Sequence, residues 1–263
     1  MSVLYKYCDQ LGIVKILGSL ELKLPYISDV NDPFECLPYI YCPDDKAAIE
    51  ALYLSALRRR NRSPSADYKQ KLENGEIHKI LKDDMRNHIR EENRRNCLLS
   101  VSETAKEPVM WAHYAEVHKG SVIGIDFDKF FEMHCVNYPK DYSKDRPKMN
   151  ILHKFTLENA WEIALTKSSA WSYEKEFRTV FGDAHLMGLA QQGLTYLRDF
   201  NGKKTWFLRL NPASIRKVVF GLYTEESLKS AIRKLIERPE LQHVKLHQAE
   251  ESETYILNLK ECN

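Results

Sequence analysis

The sequence predicts an α+β fold built on a mixed or antiparallel sheet, and three observations carry that expectation. Short apolar, β-prone runs recur, the strongest at residues 96–102 and 120–127. Amphipathic helical stretches interrupt them without a regular βαβ alternation, which excludes a doubly wound parallel sheet. The composition is that of an ordinary globular chain: 263 residues, 43% hydrophobic and 29% charged. We expect one α+β domain over residues 1–263, carrying a helical insertion at 44–95.

The elements follow in order. Residues 3–7 alternate weakly and read as a first strand. Apolar positions 11, 13, 14, 16, 17 and 20 fit a short helix ending near Gly18, and 22–27 reads as a strand that Pro25 pushes towards an edge. Asn-Asp-Pro-Phe-Glu (31–35) is turn chemistry. Asp44 or Asp45 can cap a helix running to Leu57. Leu72, Ile77, Ile80, Leu81, Met85 and Ile89 recur at amphipathic-helix spacing. A short helix is expected at 108–117, opened by Pro108. Strands are expected at 136–138, 175–181, 206–210, 215–221, 244–248 and 255–259. Helices are expected at 157–167 and, capped by Thr224, at 225–237.

Composition removes several function classes. Lys plus Arg number 39 and Asp plus Glu 37, a net charge of +2, so the chain as a whole has no pull towards nucleic acid. Residues 58–95 hold twelve Lys/Arg against seven Asp/Glu, a run that usually marks a solvated face. No apolar stretch approaches the roughly 18 residues of a membrane helix. No basic segment followed by an apolar one opens the chain, and the six cysteines form no CxxC pair. A reducing, cytoplasmic setting and no membrane partner are therefore expected. P-loop, GxGxxG, HExxH and GxSxG motifs are missing from the sequence.

Three segments concentrate reactive and aromatic side chains. In Trp-Ser-Tyr-Glu-Lys-Glu-Phe-Arg (171–178), a strand would place Glu174, Glu176 and Arg178 on one face, with the carboxylates about 6–7 Å apart. Like charges that close raise one pKa, which suits a general base, while Arg178 opposes the shift. An exposed charged edge would give the same pattern. In the helix at 108–117, Met110, His113 and Tyr114 share a side and Trp111 lies elsewhere. His113 and His118 are five apart, which does not suit a zinc site, and no metal is expected. The third segment joins Tyr5, Lys6 and Tyr7 to the turn at 31–35.

Leu-Tyr-Lys-Tyr (4–7), Asn-Asp-Pro-Phe-Glu (31–35), Met-Trp-Ala-His-Tyr-Ala (110–115), His-Lys-Gly (118–120) and the 171–178 motif occur in one order that resembles the bacterial family called domain of unknown function 2971. Asn137-Tyr138 and Arg146-Pro147 resemble its VxY…RP segment. The chain also resembles, more loosely, the DarT-like ADP-ribosyltransferases. These bind NAD in a split sheet through an early basic or aromatic residue, a Ser-Thr-Ser or Tyr element, and a late Glu-x-Glu. Tyr5, Lys6 and Tyr7, then Ser100 and Ser102, then Glu174 and Glu176 fall in that order, with Lys6 in place of the expected Arg or His and Val101 in place of Thr.

That second resemblance implies NAD as substrate and a nucleic-acid or protein acceptor, in an enzyme of the toxin or phage-defence kind. It implies Glu176 at the ribose and Glu174 on the acceptor, Ser100 or Ser102 on the nicotinamide-side ribose, and Lys6 on a phosphate. Trp111 and Tyr114 would stack on a ring, with His113 and Arg178 completing the site. The competing readings are a metal-dependent nuclease or nucleic-acid-binding effector, with residues 58–95 on phosphates and Glu174, Glu176 and Asp126 around Mg²⁺, and a non-catalytic, antitoxin-like interaction module.

Overall fold

The computed structural model describes residues 3–127, 132–141, 146–153 and 156–262. The chain begins with β1 (Leu4–Cys8), α1 (Gln10–Ser19) and β2 (Glu21–Leu24). β3 (Tyr39–Tyr41) then leads into the helices α2 (Lys46–Arg59), α3 (Tyr68–Glu73) and α4 (Glu76–Asn93). β4 (Cys97–Ser102), α5 (Pro108–Tyr114), β5 (Ser121–Ile125), β6 (His134–Cys135), β7 (Lys148–Asn150) and α6 (Leu157–Ala164) follow. The remainder is β8 (Glu176–Phe181), α7 (Asp183–Gln191), β9 (Thr195–Phe200), β10 (Lys203–Arg209), β11 (Ile215–Phe220), α8 (Glu226–Ile236), β12 (Lys245–Glu250) and β13 (Asn258–Cys262).

Local chemistry accounts for the element ends. Asp9 accepts from the Gly12 N–H and starts α1, Asp45 accepts from Ala48 and starts α2, and Thr156 and Asn159 form a capping box on α6. Thr224 does not cap α8: Glu225 holds that position, and the Thr224 hydroxyl instead donates to the Gly120 carbonyl at 2.8 Å. The last strand lies at 258–262 rather than 255–259, because the turn before it is tied by Ser252 to the Thr254 and Ile256 carbonyls. The strand expected at 136–138 is displaced to 134–135, leaving Asn137 in a lone bridge to Thr166. The sequence carries no strong periodicity at α7 or β9, nor at the three-residue strands β3 and β7.

The central sheet has eight strands in the order β13-β12-β11-β5-β1-β4-β8-β6, with smaller sheets β2-β10-β9 and β3-β7. The fold is therefore α+β, with mixed strand directions. Among the described residues, only β11 and β12 run parallel within the large sheet, and α8 supplies the crossover that a parallel pair requires. Alternation along the strands splits the core between two faces. Ile123, Ile125, Val218 and Phe220 pack with α1 and α8, while Val122 and Val219 pack with Trp111 and Tyr7 on the α5 side. Helices α2–α4 gather a further cluster around Ile49, Ile77 and Leu81. Part of the basic run at 58–95 is paired with its own acids: Arg60 with Asp84, Lys71 with Asp67, Arg86 with Asp83 and Arg94 with Glu91.

One feature of the sheet positions the site. β1 pairs with β5 over five positions and β4 pairs with β8 over six, yet β1 and β4 share a single ladder position, Tyr5 opposite Ser102. The sheet parts along this seam. The Ser100 carbonyl, which faces β1, is satisfied by the Lys6 ammonium at 2.9 Å rather than by a backbone N–H.

Candidate active site at the parted strands

A cavity of about 470 Å³ opens along the seam. That volume is in the range of small-molecule sites. Tyr5, Lys6 and Tyr7 line it from β1, and Ser100 and Ser102 from β4. Met110, His113 and Tyr114 reach it from one side of α5, as the helical spacing anticipated. Glu174 and Glu176 form part of its wall.

The two glutamates do not share a strand. Glu174 ends a 3-10 turn, Ser169–Glu174; Lys175 takes a left-handed φ of 44°; and β8 begins at Glu176. The carboxylates converge because Lys175 reverses the chain between them. Ser102 fixes this turn by donating from Oγ to the Glu174 carbonyl at 2.7 Å, and the Glu103 N–H bonds the Lys175 carbonyl at 2.9 Å. On the other side the Val136 N–H bonds the Glu176 carbonyl at 2.9 Å, and the Glu176 N–H donates to the Tyr138 hydroxyl at 3.0 Å.

Both glutamates are 4% exposed, so their charges need partners. Arg178, fully buried, grips Glu176 with two bonds, Nε to Oε1 at 3.0 Å and Nη2 to Oε2 at 2.7 Å. Its Nη1 bonds Glu35 at 2.6 Å and the Ala164 carbonyl at 2.9 Å. Lys167, also buried, lies 2.5 Å from Glu174, 3.3 Å from Glu176 and 3.7 Å from Glu35. The Tyr114 hydroxyl donates to Glu174 at 2.6 Å and accepts from the Asn31 amide at 2.9 Å.

This network separates the two acids chemically. Burial raises the Glu174 pKa above the usual carboxylate range, and Lys167 and Tyr114 only partly offset it. Burial would raise Glu176 as well, but Arg178 and then Lys167 outweigh it and hold the carboxylate ionised, lowered to about 2. Burial disfavours the charged form of Lys167, and Glu176, Glu174 and Glu35 reverse that, so the ammonium stays charged. Burial depresses the Lys6 pKa against the pull of Cys8, Glu176 and Glu174. A carboxylate that Arg178 holds ionised beside one whose pKa burial raises is a pairing suited to acid–base work.

Several expected placements need correction. Trp111 does not face the cavity. It is fully buried, donates from Nε1 to the Ala105 carbonyl at 2.8 Å, and meets Tyr7 edge-on at 5.4 Å, because the helix turns it into the core. Arg178 lies behind the cavity wall and is consumed by two carboxylates, so it cannot reach a ligand. Lys6 spends a bond on Ser100, Ser102 spends its hydroxyl on Glu174, and Tyr7 donates to the Thr104 carbonyl at 3.0 Å. Asp126 is remote from the glutamates and pairs with Arg216 at 2.8 Å. Among the described residues, no group of three or more His, Cys, Asp and Glu is placed to hold a metal ion.

Sequence reasoning missed Lys167, and it missed the role of Glu35. Glu35 stood in a turn motif already singled out, but nothing local marked it as buried beside Arg178. Lys167 follows a helix with no pattern around it. Asn31 and Tyr138 lay in noted segments without a part assigned to them.

An eight-stranded sheet parted at one seam, with a buried ion network in the wall of the cavity there, is the arrangement these residues build. Residues 110–179 match the family model described as protein of unknown function (DUF2971), so the family resemblance holds over the segment that contains most of α5, Lys167 and both glutamates. No curated protein and no solved structure matches the chain. Among the described residues, no helix is long and apolar enough to cross a membrane.

Proposed function

We propose that the seam cavity binds NAD and that the protein is an ADP-ribosyltransferase-like enzyme. The supporting observation is the convergence of three elements that are far apart in sequence. Tyr5–Tyr7, Ser100–Ser102 and Glu174–Glu176 come together on or beside the adjacent strands β1, β4 and β8, around one cavity.

Breaking the nicotinamide–ribose bond creates an oxocarbenium-like centre, and nicotinamide leaves with the bonding electron pair. A fixed carboxylate stabilises that developing positive charge. Glu176 suits this role because its orientation is set by two bonds from Arg178 and its charge persists. Glu174, with its raised pKa, takes the proton from the acceptor's nucleophile as that atom bonds the ribose carbon. Tyr114 and His113 at the side of the cavity contact the leaving ring, and Arg178 and Lys167 act as positioning residues. Such chemistry fits an effector of the toxin or phage-defence kind acting on a nucleic-acid or protein acceptor.

The test is nicotinamide release from NAD by the purified protein, with and without Mg²⁺ and nucleic acid. We expect release without metal, and its loss in Glu176→Gln at unchanged circular dichroism. Undiminished release in that variant removes Glu176 from the reaction. Metal-dependent strand cleavage in place of nicotinamide release supports the nuclease instead, and a stable complex with a second protein, with neither activity, supports the interaction module.

A further inference from the structure

A second cavity, of about 480 Å³, lies across the Glu35–Lys167 pair from the first, and both of those residues line the two cavities. Phe34 and Trp171 contribute aromatic surface to it, and Phe34 is 63% exposed. The Arg146 guanidinium lies 5.0 Å from the Phe34 ring centroid and the Lys167 ammonium 4.9 Å from that of Trp171. Arg146 is fixed by bonds from Nε at 2.9 Å and Nη2 at 2.6 Å to the Leu37 carbonyl.

Asp32 is the unusual member. It is 6% exposed and lines this cavity. Among the described residues, its carboxylate accepts one hydrogen bond, from the Phe34 N–H at 2.9 Å, and makes no ion pair. Arg146 is near enough to feel its charge but too far to pair with it. The oxygen that Phe34 does not engage is left open to a donor from the cavity. A planar ligand that bridges the two groups must offer an N–H to Asp32 and an adjacent carbonyl to Arg146, and it would lie against aromatic surface.

We infer that this cavity binds a heterocyclic base with a lactam edge, a ring N–H beside a C=O, as in guanine or uracil. Adenine and cytosine have no lactam N–H at neutral pH. The inference does not rest on the NAD reading: the site is separate, and its occupancy is read by binding rather than by turnover.

Binding of guanosine, uridine, adenosine and cytidine is measured by calorimetry and by Trp171 fluorescence, with each base also presented in a short single-stranded oligonucleotide. We expect guanosine or uridine to bind, adenosine and cytidine to bind at least tenfold more weakly, and saturating NAD not to compete. Phe34→Ala, an exposed site where folding is safe, is expected to weaken binding about tenfold through lost stacking. Asp32→Asn is expected to reduce the discrimination between bases. Preference for the oligonucleotide identifies the ligand as a base within a strand; equal binding identifies a free nucleoside; either supports the site. Four equal affinities, no binding by any base in either form, or binding indifferent to both variants overturns the inference. That failure, with metal-free nicotinamide release intact, leaves the seam cavity's role standing.

Discussion

Arg178 and Glu176 are joined by two parallel hydrogen bonds, at 3.0 and 2.7 Å, with Arg178 fully buried and Glu176 4% exposed. The same guanidinium also bonds Glu35, so one cation fixes a turn residue from near the start of the chain and a strand residue from its second half.

Removing that cation strands two buried carboxylates. Arg178→Met is expected to destabilise the fold by about 3–5 kcal/mol, the usual cost of breaking a buried pair from one side. Urea unfolding at neutral pH measures it, and a loss under about 1 kcal/mol would mean that water reaches the network.

Glu174 and Glu176 are expected to drive stability in opposite directions with pH. The native pKa of Glu176 is lowered to about 2, so its stabilisation is present above the ordinary carboxylate range and is lost as pH falls from there. The native pKa of Glu174 is raised, so the native state holds its proton longer than the unfolded chain does, and stability is lost as pH rises above the ordinary carboxylate value. Relative to wild type, Glu176→Gln should therefore look worse at pH 7 than at pH 3, and Glu174→Gln better at pH 7 than at pH 4. Denaturation curves at these pH values check both slopes, and parallel curves would contradict the assignment.

Tyr114→Phe removes the hydroxyl that bridges Asn31 and Glu174. A hydrogen bond to a charged group contributes about 1.5–3 kcal/mol, so a loss of that order is expected. The Glu174 pKa should rise further, because Tyr114 favours its ionised form. Carboxyl chemical shifts followed through a pH titration read that change directly.

Gly120 and Trp111 separate packing from function. A Cβ on Gly120 would lie 2.1 Å from the Cys8 carbonyl oxygen, an overlap with rigid backbone, so Gly120→Ala should cost at least about 1–3 kcal/mol. Trp111→Ala should cost about 3–5 kcal/mol through the cavity that it leaves. Thermal unfolding measures both. Ligand affinity at the seam cavity, corrected for the folded fraction, should change far less in Trp111→Ala than in Tyr114→Ala.

The elements were largely legible where the local signal was strong. Asp44 or Asp45 marked the start of α2, where Asp45 is the cap, Pro108 opened α5, and the apolar run around Val122 and Ile123 read as a buried strand. Where a terminus depended on a remote partner, the boundary moved. Thr224 resembles a helix cap, but the Gly120 carbonyl claims its hydroxyl from across the fold.

The sequence by itself determined the α+β class, the shared face of Met110, His113 and Tyr114, and the presence of two glutamates within a few residues of a tyrosine and an arginine. These follow from periodicity and spacing, which act over one or two turns of chain. Only the tertiary structure decided that β1 and β4 part after a single pairing, that Trp111 turns inward, and that Glu35 and Lys167 join the carboxylates. Those outcomes depend on burial, which makes an unpaired charge expensive and draws its partners from wherever the chain passes close by.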